Sequence, residues 1–254
     1  LEEHELPVVA PLINSSNDSL ILFDSYRFSL FPRVGGRTPE LDNPDHLLQL
    51  GHCLARLHNV GAVKPFEHRP VININAYCNE QRHYILENDF IPNDLLPAYE
   101  SLTTDIIGRI ERAFDKAGDL DFIRLHGDCH LGNILWRDDS PCLVDFDDTR
   151  MGPAIQDLWM FLSGDRAYMT SGLYDLMEGY SEFRDFDRRE LQLIEPLRTM
   201  RIMHHAGWIA QRWDDPAFPL AFPWFNTQKY WEEHILSLRE QAAMLDEPSL
   251  EWMG

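Results

Sequence analysis

Apolar and polar positions change period several times along this chain, and each change marks an element. Val8, Val9, Leu12 and Ile13 predict a strand, and the polar run 14–19 predicts a turn. The apolar tracts 20–23 and 27–31 predict the two strands of a hairpin, closed off by Pro32 and by Gly35-Gly36. From Asp42 the period becomes helical. Asn43 is a capping residue and Pro44 suits a first turn, Leu47, Leu50, Leu54 and Leu57 share one face, and Gly61 ends the segment. Residues 62–100 are rich in aromatics, Asn and Pro and predict irregular or short-helical chain. Residues 104–116 predict a second amphipathic helix, with Ile106, Ile107, Ile110 and Phe114 on its apolar face and Gly118 beyond its end.

Short apolar tracts at 122–125, 134–136 and 142–146 then predict three strands separated by loops. After Gly152-Pro153 the pattern is helical almost to the end, and 189–213 is its longest run. A strand-containing entry, two helices, a small strand cluster and a helical remainder together predict an α+β fold with a mostly helical body.

Composition narrows the choice of partners. Hydrophobic residues make up 44% of 254 positions, enough for a substantial core. The formal net charge of −20 argues against nucleic acid and anionic membranes as partners. It also means that an anionic ligand such as ATP requires a divalent cation or local basic groups. Cys53, Cys78, Cys129 and Cys142 contain no CxxC pair, so reduced thiols in the cytoplasm are expected. No apolar run approaches a membrane span and no signal peptide is visible. The opening Leu1-Glu2-Glu3-His4 lacks an initiator Met and reads as the interior of a longer chain.

The chemistry concentrates in His126-Gly-Asp-Cys-His-Leu-Gly-Asn133-Ile-Leu-Trp and in Leu143-Val-Asp145-Phe-Asp-Asp148. Phosphoryl transfer needs positioned charges, a hard cation held by few protein oxygens, and a carboxylate to orient a hydroxyl and accept its proton. Asp128 follows a buried strand and offers that carboxylate. Asn133 offers a neutral oxygen ligand for Mg2+ and Asp145 an anionic one. Pairing of strands 134–136 and 142–146 through a tight turn at 138–141 predicts that Asn133 and Asp145 lie side by side.

These two motifs resemble the aminoglycoside phosphotransferase and choline kinase group of kinase-like enzymes. The resemblance implies a protein-kinase-like fold, with Asp128 as catalytic base and Asn133 and Asp145 as magnesium ligands for ATP. It implies that Asp157, within Arg150-Met-Gly-Pro-Ala-Ile-Gln-Asp157-Leu-Trp, anchors the catalytic loop. It also implies that the 28–34 segment is the hinge between lobes, with Phe28, Leu30 and Phe31 at the adenine. Pro196 to Arg201, Ala206 to Ala210 and Arg212 to Pro219 resemble a bacterial branch of stress-response protein Ser/Thr kinases. The expected domains are 1–34, a remnant of the β-rich amino-terminal lobe with the hinge, and 35–254, the catalytic lobe.

The chain departs from the kinase-like pattern at its start. No glycine-rich loop or strand lysine precedes Pro7, and the first lysine is Lys64. Glu2 or Glu3 is the candidate for the helix glutamate that pairs with such a lysine. Most of the amino-terminal lobe is therefore expected to lie outside this sequence, with an omitted stretch near His4–Glu5 as a second expectation. Gly127 stands where eukaryotic-type kinases carry an Arg that reads a phosphorylated activation loop, so a constitutively poised enzyme is expected.

Several residues admit two readings. His126 locks the loop or works as an acid–base group, and the lock is favoured. His126, Asp128 and His130 resemble a transition-metal set less well than Asn133 and Asp145 fit magnesium. Cys129 reads as a small buried filler or a redox-sensitive thiol. Asp147 and Asp148 read as ligands of a second ion or as capping groups, and Arg150 as their ion-pair partner. Trp208 reads as core, Arg201 and His204 as acceptor-site candidates, Trp224-Phe225 as packing or a docking loop, and 185–190 as a solvated face. Three functions follow. The first is a monomeric ATP- and Mg2+-dependent kinase acting on a hydroxyl of a protein Ser or Thr. The others are a kinase for a small hydroxyl compound (amino alcohol, sugar or aminoglycoside) and a non-catalytic nucleotide-binding module.

Overall fold

The computed structural model describes residues 1–253. The chain forms two compact units, one built from residues 1–69 and 122–186 with Trp252, the other from 70–121 and 187–251.

The first unit opens with a 3-10 turn, Glu2–His4, where a helix segment was expected. Glu5 N–H donates to Glu2 O at 2.9 Å and closes that turn. The expected 8–13 strand reduces to one parallel bridge from Val8 to Leu143 and one bond from Leu12 N–H to Leu30 O. β1 (Ile21–Phe23) and β2 (Tyr26–Phe28) form the expected hairpin, shorter than the apolar tracts. Leu22, Phe23 and Tyr26 are all at least 70% exposed, so apolar character did not signal burial here.

α1 (Pro44–Gly61) starts as expected: the Asn43 side chain accepts from Asp45 N–H at 3.0 Å, a cap contributing about 1 kcal/mol. Leu47, Leu50, Leu54 and Leu57 are buried, and α4 (Arg166–Ser181) covers them with Leu173, Leu176 and Met177. The two helices meet at glycines. A Cβ on Gly51 would strike the Leu176 carbonyl, and one on Gly179 would strike that of Leu48. This close crossing brings His58 of α1 to Tyr180 of α4, Nδ1 to hydroxyl at 2.8 Å.

β3 (Ile123–Leu125) pairs antiparallel with β6 (Arg150–Gly152), a strand the hydrophobic pattern did not predict. β4 (Ile134–Arg137) and β5 (Ser140–Leu143) form a hairpin, Ile134 opposite Leu143. Its turn, Asp138-Asp139, has φ of 48° and 57°, the left-handed pair of a two-residue hairpin loop. β5 stops at Leu143 instead of running to Phe146, because Asp145 turns to φ 62° and leaves the extended path. Val9 N–H donates to Leu143 O at 3.2 Å, at the last residue of β5.

The second unit is helical. A π turn (Asn75–Asn79) runs into α2 (Glu80–Glu87), and α3 (Leu96–Ala117) begins well before the expected Thr104. The expected 189–213 helix is a 3-10 segment, Arg188–Leu193, followed by α5 (Ile194–Ala210). Pro196 has no N–H to donate, and the α-helix restarts with it in its first turn. Glu190, expected on a solvated face, is buried. α6 (Ala217–Ala221) and α7 (Gln228–Met244) complete the unit. Trp208 is half-buried against Phe218 and Phe222 with the Arg212 guanidinium 4.9 Å from its ring. Phe225 is buried and Trp224 exposed. All four cysteines are buried and unpaired, and among the described residues no helix is long and apolar enough to cross a membrane.

Two stability predictions follow from this packing. Gly179→Ala should destabilise the protein by about 2 kcal/mol in urea unfolding even though alanine favours helix, because the methyl meets backbone that cannot move aside. His234, packed among Tyr99, Tyr230 and Trp231, has its pKa lowered from 6.5 to about 4 by burial and then by the charge of His205. The unfolded chain takes up that proton from pH 6.5 downward while the folded protein resists until about 4, so this contribution to stability is lost across that window. Replacing His234 with Leu should flatten the loss, read as unfolding free energy at several pH values.

Candidate active site

The loop after β3 is held from beneath by one carboxylate. Asp157, wholly buried in the 3-10 turn Ala154–Asp157, accepts from His126 N–H and Gly127 N–H, both at 2.8 Å. His58 Nε2 lies 3.1 Å from the same carboxylate, and His58 in turn reaches Tyr180. Burial opposes the charge on Asp157. The hydrogen bond and charge of His58, the charge of His126 and the Gly127 amide outweigh it and hold the carboxyl below its ordinary 3.8. Gln156 adds a bond from Nε2 to Gly127 O at 3.0 Å.

Gly127 is required where it stands. Its φ is 89°, and a Cβ there would run into the carbonyl oxygen of Asp148. The loop after β5 thus packs directly on the loop after β3. His126 Nε2 bonds Val144 O at 2.9 Å, which makes a second tie between the two and leaves Nδ1 buried without a partner.

Asp128, Asn133 and Asp145 are brought to this junction. Asn133 Nδ2 donates to Asp128 O at 2.9 Å, which turns Oδ1 of the carboxamide away from that bond. Val144 N–H donates to Asn133 O at 3.0 Å, extending the hairpin register by one pair and setting Asp145 next to it. The Asp145 carboxylate is exposed and forms no ion pair among the described residues. Its left-handed backbone is a conformation aspartate tolerates better than most residues. Asp148 is instead taken up by Arg150, Nη2 to Oδ1 at 2.5 Å, and Arg69 donates to the Asp147 carbonyl. Asn133 Oδ1 and the Asp145 carboxylate are two oxygens at this junction of the kind a hard cation takes, and the Asp147 carboxylate is exposed as well, since Arg69 engages only the Asp147 backbone. Two oxygens suit an ion that completes its shell with phosphate and water. Among the described residues no group of three or more His, Cys, Asp or Glu has metal-holding geometry.

Other candidates lie elsewhere. Phe28, Leu30 and Phe31 are exposed, and no hydrogen bond or ring contact joins them to residues 126–148. Cys129 is a buried filler whose thiol is pushed far up by burial, then by the charge of Asp157. His204 stacks on Tyr77 at 4.4 Å in the second unit. Sequence reasoning missed the supporting roles of His58, Tyr180 and Gln156. Gln156 sits inside a motif already singled out, whereas His58 lies 99 residues from Asp157 with no local signal at all.

A helical body, a β-hairpin with Asn133 and Asp145 just beyond its open end, and a carboxylate-anchored loop bearing Asp128 are the features of a kinase-like phosphotransferase fold. Residues 1–194 match the phosphotransferase enzyme family, and the chain belongs to it. It is 43% identical over 260 residues to stress response kinase A of Escherichia coli O157:H7, covering 99% of this chain and 78% of that protein. It is 42% identical over 251 residues to the serine/threonine protein kinase RdoA of Salmonella typhimurium, covering 99% and 75%. Among solved structures, an amicoumacin kinase in complex with AMP-PNP and Ca2+ superimposes with a TM-score of 0.68 at 17% identity, covering 100% of this chain and 76% of that one. A microcompartment-associated aminopropanol kinase gives 0.68 at 14% identity, covering 95% and 75%. These structures establish the α+β kinase-like fold.

Asp157→Asn keeps the shape but removes the charge that holds two amides and His58. It should cost about 2–4 kcal/mol of stability, measured by urea unfolding at neutral pH.

Proposed function

We propose that the protein is an ATP- and Mg2+-dependent kinase that transfers the γ-phosphate to Ser or Thr hydroxyls of proteins in a bacterial stress response. The observation that carries the transfer chemistry is the convergence of Asp128, Asn133 and Asp145 on one anchored junction. The protein acceptor is supported by relatives at 42% identity over nearly the whole chain, one of them named as a serine/threonine protein kinase. Four buried, unpaired cysteines suit work in the cytoplasm.

Asp128 orients the acceptor hydroxyl and takes its proton as the oxygen attacks the γ-phosphorus. The new O–P bond forms, the bond to the β,γ-bridging oxygen breaks, and ADP leaves with that electron pair. Asn133 and Asp145 are the residues that would hold Mg2+, which when bound offsets the charge on the phosphate oxygens. Asp157 keeps the Asp128 loop in one conformation, so little reorganisation is needed during transfer. Gly127 carries no side chain that could read a phosphorylated loop, and its contact with Asp148 keeps the two loops together without such a signal. Residues 28–34 serve as the adenine-side hinge, with Phe28, Leu30 and Phe31 contributing, and 1–34 belong with the amino-terminal lobe.

Transfer of labelled γ-phosphate by the full-length protein tests this. Asp128→Asn should lower turnover by on the order of 10²-fold or more while leaving ATP binding within a few-fold. Near-wild-type turnover by that variant rules out the base assignment. Label appearing only on small alcohols, never on protein, replaces the protein acceptor with a small-molecule one.

A further inference from the structure

His130 stands two residues beyond Asp128, and three observations fix its ring. Its Nδ1 accepts the Gly132 amide hydrogen at 2.9 Å, capping the 3-10 turn Leu131–Asn133. An acceptor nitrogen carries no proton, so the proton of the neutral ring sits on Nε2. Nε2 lies 3.4 Å from Asp128 Oδ2. The seat beneath the ring is shaped for it: a Cβ on Gly132 would come within 2.7 Å of His130 Cε1 and 2.9 Å of Nδ1. The Asp128 carbonyl is held independently, by His130 N–H at 3.0 Å and Asn133 Nδ2 at 2.9 Å. The backbone of Asp128 is therefore pinned from within the loop, and the imidazole addresses its side chain.

We propose that His130 is a positioning residue for Asp128, presenting Nε2–H to one carboxylate oxygen and so fixing the rotamer in which Asp128 meets the acceptor hydroxyl. This rests on the reading of Asp128 as the base. A carboxylate on a flexible side chain loses orientation freely, and a donor at its edge selects one arrangement before the acceptor arrives. The 3.4 Å separation is long for a hydrogen bond, of the kind that tightens in a Michaelis complex. The ring is 41% exposed on its side chain, so it stands at the surface of the loop and not in the core.

Two variants separate positioning from mere loop capping. In His130→Asn the side-chain oxygen can still accept from Gly132 N–H, but the chain is too short to reach Asp128. In His130→Gln the terminal amide can reach Asp128 as a donor. His130→Asn should lower kcat by about tenfold with the KM for ATP within twofold and an unchanged Tm, and His130→Gln should recover most of the loss. A rise in KM with kcat unchanged, or failure of His130→Gln to exceed His130→Asn, overturns the proposal. A readout independent of turnover comes from 15N-histidine spectra of the full-length protein. His130 should show an unprotonated Nδ1 and a protonated Nε2, and Asp128→Asn should move the Nε2 signal. An unmoved signal overturns the His130 assignment whatever the turnover. A moved signal in an Asp128→Asn variant that keeps near-wild-type turnover overturns the base assignment and leaves the contact standing.

Discussion

A carboxylate without water around it must be surrounded by donors or it will not stay charged. Asp157 meets that demand with two backbone amides and one imidazole. The amides belong to the two residues immediately before Asp128. The desolvation of one acid thus becomes the rigidity of another residue's backbone. Everything at the site is placed relative to that bond pair: Gly127 is drawn close enough to touch the Asp148 carbonyl, and His126 is turned so that its ring reaches Val144. Loss of the Asp157 charge would release both loops together, since each is tied to the other through residues that Asp157 holds.

The support extends into the helices. His58 sits in the last turn of α1 and Tyr180 in the last turns of α4, and they meet because the helix axes approach at Gly51 and Gly179. Two missing methyl groups therefore set the distance at which a histidine can serve a buried aspartate. The same design recurs at a smaller scale in the loop, where Gly132 leaves room for His130. Glycine here is selected by close approach and not by turn geometry alone.

Local rules made much of this readable in the sequence. The Asn43 cap and the Leu47, Leu50, Leu54, Leu57 stripe located α1 to the residue, and the two-part motif singled out Asp128, Asn133 and Asp145 as candidates. The end of β5 was misjudged because the hydrophobic tract continues to Phe146, whereas the backbone of Asp145 is left-handed for reasons of site geometry that hydrophobicity does not encode. β6 was missed because Arg150–Gly152 has no strand-like composition and is strand only through its pairing with β3. The hairpin of β1 and β2 was predicted but its exposure was not, because periodicity reports a face and not what covers it. The role of His58 was invisible for a different reason: the contact joins positions 99 residues apart, and neither residue's neighbours hint at it.

The central claim is that the Asp157 carboxylate holds the loop carrying Asp128. Amide hydrogen exchange at His126 and Gly127 tests it most directly, because these two N–H groups donate to that carboxylate and to nothing else found around them. Both should exchange nearly as slowly as the core of α1 in the wild-type protein, and should become fast in Asp157→Asn while α1 stays protected. Unchanged slow exchange of these two amides in that variant would contradict the account.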